Sequence, residues 1–111
     1  GYVLPDDVTE QGWWDPAAGR ETVGRFGRAI RVALDLRART GEDGRIALVS
    51  HGGFLSLLLE ALTDQLPHDS RRQLYRHMNA ALTLLDIDAE GQLAIHYLNR
   101  VDHLPPALRT W

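Results

Sequence analysis

The chain has 111 residues, 44% of them hydrophobic and 24% charged, with a formal net charge of -3. That is material for one domain, and its acidic balance argues against a broad nucleic-acid footprint, which needs a basic stripe to neutralise phosphates. No cysteine is present, which excludes disulfides and thiolate zinc sites; no apolar run approaches the ~20 residues that cross a bilayer, and the acidic opening GYVLPDDVTE is unlike a signal peptide.

These features predict a soluble, cytoplasmic protein with neither nucleic-acid nor membrane partner. Residues 1–19 carry Pro5, Gly12, Pro16 and Gly19 around Trp13 and Trp14, a turn-rich composition that predicts an irregular arm with one indole in the core and one on the rim. From Thr22 onward, Val23, Phe26, Ile30, Ala33 and Leu34 recur at three- and four-residue steps, while Arg25, Arg28, Arg31 and Asp35 fall elsewhere. An amphipathic helix ending before Gly41 is expected, its arginines forming a solvated face with internal ion pairs. Gly41 and Gly44 then supply a stop and a turn.

Ile46 to Val49 read as a short strand buried on both sides, because its apolar run does not alternate. Phe54 to Leu62 read as a helix apolar nearly all round, and Asp69 and Ser70, with Gln73 three residues on, as the cap of another short helix. Ala81 to Ile87 and Leu93 to Leu98 flank the loop DAEG, whose glycine can take a positive φ; this is a hairpin signal. Asn99 to Trp111 close the chain as a tail. The order predicts an α/β fold, a layered sheet with flanking helices, as one domain over residues 1–111. Val23, Phe26, Ile30, Leu34, Ile46, Leu48, Leu58, Leu62, Leu84 and Tyr97 are expected to share its core.

The stretch RIALVSHGGFLSLLL, residues 45–59, places His51 where a strand ends and a helix begins. Helix N-termini direct free N–H groups and a partial positive charge toward anions. Gly52 and Gly53 would let a phosphate approach the backbone closely, and a protonated imidazole would add charge and a donor. His51 and Gly52 are therefore candidate phosphate-binding residues.

LVSHGGFLSLLL resembles the second histidine motif of the histidine phosphatase superfamily, the fold shared with cofactor-dependent phosphoglycerate mutases. The resemblance implies that His51 is a catalytic residue that donates to the equatorial oxygens of a transferring phosphoryl group. GRETVGRFGRAIRVALDLRAR, residues 19–39, is similar to the family's glycine-glutamate segment heading a long helix, although Arg20 stands between Gly19 and Glu21. By that similarity Glu21 is the proton donor and acceptor, with Glu10 as the fallback. MNAALTLLDIDAEGQLAIHYLNRVDHLP, residues 78–105, resembles the family's closing hairpin, with Asn79, Asn99 and His103 at matching positions.

The similarity extends over about the second half of the family fold. The family's nucleophile is a histidine within an Arg-His-Gly triplet; here the one Arg-His pair, Arg76-His77, runs into Met78. The resemblance thus implies a partial domain for small phosphate monoesters or phosphate ion, working through a phosphohistidine, with no cofactor and no metal. Alone it is expected to be inactive or nearly so. It is expected to form a homodimer, to exchange strands between copies, or to take up a missing N-terminal segment.

Two other readings stay open. One is a non-catalytic pseudo-phosphatase or interaction domain. The other is a serine hydrolase using Ser50 with Asp102 and His103, against which Leu48 occupies the position where a nucleophile elbow needs glycine. His68, His77 and His96 fit no site spacing; His96 is expected to be a satisfied, buried strand histidine, and Asp102 with His103 to tie down the tail.

Overall fold

In the computed structural model, residues 24–42, 44–66 and 73–111 are described. Helix α1 spans Gly24–Ala38 and helix α2 Gly52–Leu62, followed by strands β1, Leu82–Ile87, and β2, Leu93–Arg100, and a 3-10 turn, Pro106–Leu108. The expected arm with Trp13 and Trp14, the residues Glu10, Glu21, Val23 and His68, and the cap at Asp69 and Ser70 lie outside the described residues.

Ala29 and Ala33, one turn apart on α1, are both buried and pack with Leu58, Ala61 and Leu62 of α2. Two small side chains on one face let the helices approach closely, and Ile30, Val32 and Leu36 fill the flanks. Leu34 follows Ala33 by one residue, which turns it about 100° away from that seam. It is consequently exposed, against its expected place in the core. Helix α2 meets its expectation: its run of leucines is covered over most of its circumference, and Leu58, Leu59 and Leu62 are buried. At its C-terminus Arg37 donates to the Leu62 carbonyl at 2.6 Å, placing a cation against the negative end of the helix. Among the described residues the arginines of α1 also reach aromatic rings and the end of α2: Arg25 lies over Phe26, Arg28 over Phe54, and Arg37 pairs with Asp64.

β1 and β2 form a two-stranded antiparallel hairpin, as the DAEG loop predicts. Asp88 shapes its turn by accepting from the amides of Glu90 and Gln92 through Oδ1, and Gly91 adopts φ +79°, a conformation that costs glycine little. Leu85, Ile87 and Leu93 rest against the helix core. The register shifts on both sides of Leu84, so simple alternation does not decide the facing of that residue. Leu84 is exposed rather than buried. His96 is also exposed and pairs with Asp86 at 2.5 Å, correcting the expectation of a buried histidine. Phe26, Ile30 and Tyr97 are half-buried.

Residues 46–49 depart furthest from the sequence reading. They form no strand and pair with none of the described residues, and Ile46, Leu48 and Val49 are 57%, 41% and 97% exposed. An apolar run stays buried only where neighbours cover its backbone and both faces; no described element does so here. Among the described residues no helix is long and apolar enough to cross a membrane.

Candidate functional site

His51 is the N-cap of α2, with extended backbone (φ -85°, ψ 148°) and an exposed side chain that caps nothing. Its carbonyl accepts the first intrahelical bond, from the Leu55 amide at 2.9 Å. The amides of Gly52, Gly53 and Phe54 precede that bond and face the helix end, the arrangement by which helices hold anions. His51 and Gly52 border an open cleft of about 660 Å³ that also reaches Arg76, His77, Asn79 and Trp111.

The far wall is the segment 73–81, and α2 itself holds it in place. The buried pair Ser56 and Glu60, joined at 2.9 Å, accepts from that segment's backbone: the Leu74 amide donates to Glu60 Oε1 at 3.1 Å and the Tyr75 amide to Ser56 Oγ at 3.3 Å. The wall then passes close over the helix start, where a β-carbon on Gly52 would lie 3.2 Å from the His77 carbonyl oxygen. A glycine at 52 permits this approach.

Asn79, Asn99 and His103, singled out through the resemblance, brace the same wall. Asn99, itself at φ +55°, accepts from the Met78 amide at 2.7 Å; His103 Nε2 donates to the Ala80 carbonyl at 3.0 Å. Asn79 donates through Nδ2 to Thr110 Oγ1 and to the Trp111 carbonyl, which draws the C-terminal residues to the cleft. His103 thus does tie the tail, but without Asp102. That carboxylate is engaged by Arg100 in a bidentate pair at 2.6 and 2.7 Å, and its hydrogen bonds from Arg100 hold its pKa down at about 2. The Asp102–His103 relay required by a serine hydrolase is not formed.

Three cleft residues had no signal in the sequence reading: Arg76, His77 and Trp111. His77 Nε2 lies 3.2 Å from Thr83 Oγ1, while its Nδ1 is buried without a partner among the described residues. Desolvation therefore pushes the His77 pKa below the ordinary histidine value, only partly opposed by the nearby Tyr75 backbone. The Arg76 guanidinium lies 4.5 Å from the centre of the Trp111 ring. His77 lies two residues before Asn79, but no periodicity marks it. The described residues hold no cluster of three or more His, Cys, Asp or Glu able to bind a metal ion.

The arrangement can receive an oxyanion at a helix N-terminus beside an exposed imidazole. The family model for the histidine phosphatase superfamily (branch 1) matches residues 4–100. No curated protein and no solved structure matches the chain.

Proposed function

The chain belongs to the histidine phosphatase superfamily, branch 1, and from that membership, which supports a phosphatase-like function, we propose that it binds the phosphoryl group of small phosphate monoesters at His51 and Gly52. The observation that carries the reading is the exposed imidazole of His51 at the N-cap of α2, bordering a cleft beside glycine amides. In its protonated form that imidazole donates to equatorial phosphoryl oxygens, where charge accumulates in the transition state.

In the complete reaction a histidine nitrogen attacks phosphorus, the bond to the ester oxygen breaks, and that oxygen takes a proton from Glu21. Water then attacks the phosphohistidine, Glu21 takes the proton, and inorganic phosphate leaves. The nucleophile belongs to an Arg-His-Gly triplet, and these 111 residues contain none. On this reading the chain by itself binds phosphate and stabilises charge but turns over little or no ester.

Titration of the His51 ring by NMR with inorganic phosphate tests the binding. A saturable shift of His51 at millimolar phosphate is expected, and a ring that ignores phosphate removes the reading. An assay with p-nitrophenyl phosphate tests turnover: brisk hydrolysis that disappears in His51→Ala would show that the chain carries its own nucleophile.

A further inference from the structure

The chain carries 15 acidic residues against 12 arginines, yet not one Asp or Glu is among the described residues lining the His51 cleft. Its ionisable side chains are His51, His77 and Arg76. Burial favours the neutral form of His77, which leaves Arg76 as the permanently charged side chain of the cleft.

Two other arginines have carboxylate partners: Arg37 pairs with Asp64 and Arg100 with Asp102. Arg76 has none among the described residues; its guanidinium instead stacks on Trp111. Trp111 in turn is held by Asn79 through its carbonyl. A guanidinium held over an indole by cation–π attraction keeps N–H groups that can donate, and these match the paired oxygens of a phosphate. On either side of Arg76 the backbone is fixed to α2, with the Tyr75 amide on Ser56 Oγ and the His77 carbonyl against Gly52.

We propose that Arg76, shelved on the indole of Trp111, is a second anion-binding side chain of the His51 cleft and contacts the oxygens of the phosphoryl group that His51 receives. The inference rests on the phosphate reading of that cleft and adds to it an arginine outside the motifs that pointed to His51. Trp111 is a positioning residue, acting through Arg76.

The test is an NMR titration of the 111-residue chain with inorganic phosphate at constant ionic strength, with chloride as control, following the His51 ring and the Trp111 Nε1–H together. Both should shift along one saturation curve in the wild type. Arg76→Gln should weaken phosphate binding about tenfold, as expected for a lost charge-assisted pair, with Arg76→Lys between the two. Trp111→Leu should weaken it several-fold while the hairpin amides stay in place. If His51 shifts but Arg76→Gln binds within twofold of wild type, Arg76 is not a ligand and the His51 site stands alone. If His51 does not shift in the wild type, the phosphate reading fails and Arg76 with it. Should Arg76→Gln lose its folded spectrum, the wild-type indole decides: a Trp111 signal unmoved by phosphate overturns the proposal.

Discussion

The His77 carbonyl oxygen stands 3.2 Å from where a β-carbon on Gly52 would be, so the first turn of α2 and the cleft wall meet backbone to backbone. Gly52→Ala would press a methyl group against a carbonyl that the neighbouring hydrogen bonds hold in place. Overpacking costs ~1–3 kcal/mol, and alanine's helix preference returns ~0.5–1 kcal/mol. The expected outcome is a small net loss of stability by urea denaturation, together with a clear loss of phosphate affinity as the wall is displaced. An alanine variant that binds phosphate as tightly as wild type would show that the close approach is incidental to the site.

Burial lowers the His77 pKa in the folded chain, so the unfolded chain takes up the proton first as pH falls. Above the ordinary histidine pKa of about 6.5 both states are neutral and stability is flat with pH. Below it the unfolded state binds more protons, and stability declines until the folded-state pKa is passed. Urea midpoints at pH 7.5 and 5.5 should therefore differ, with the lower pH less stable. His77→Gln, which keeps a polar group near the Thr83 hydroxyl, should narrow that difference; an unchanged difference would assign it to other groups.

Glu60 and Ser56 are buried and receive two backbone amides of the cleft wall. Ser56→Ala strands the Tyr75 amide and removes one of the donors to Glu60 Oε1, which should cost ~1–3 kcal/mol. Glu60→Ala should cost more, because it also leaves a cavity and strands the Leu74 amide. Both variants should broaden the amide resonances of residues 73–77 while leaving the hairpin turn at 88–91 unaffected. Uniform destabilisation, with no local signature, would argue against Glu60 as the anchor of the wall.

The legible parts of this fold are those whose partners are close in sequence. The hairpin could be read because Asp88 and Gly91 build its turn locally, and α2 because a helix apolar nearly all round has to be covered. The position of His51 at a helix start could be read because a histidine and two glycines between apolar runs form a local pattern. Residues 46–49 could not, since an apolar run encodes a demand for burial without identifying the neighbour that meets it. Leu84 was lost to register shifts that no alternation rule anticipates, and Leu34 to a seam built on two alanines, whose small size is a weak signal. Arg76, His77 and Trp111 meet only because Asn79, Asn99 and His103 fold a loop and a tail onto the helix start, a tertiary event with no periodic trace.

Asp102 is held ionised down to about pH 2 by Arg100, while His103 is committed to the Ala80 carbonyl. A fluorophosphonate should therefore leave Ser50 unlabelled, since no histidine relay is assembled beside it. Asp102→Asn should leave phosphate binding unchanged. Labelling of Ser50 that is lost in His103→Ala would restore the hydrolase reading.

The exposed side chains of Ile46, Leu48 and Val49 lie along a stretch that pairs with no described strand. Such a stretch offers both apolar surface and open hydrogen-bonding groups to another chain, and proteins satisfy edges of this kind by pairing or covering them. The expected outcome is self-association of the 111-residue chain in light scattering, growing with concentration through the micromolar range. Ile46→Lys should shift it toward monomer, because a charge on the shared surface repels its symmetry mate, and Ile46 does not line the cleft, so phosphate should still move the His51 ring. A wild-type chain that stays monomeric at high concentration, with slow amide exchange across 46–49, would mean that this stretch is already covered within its own molecule.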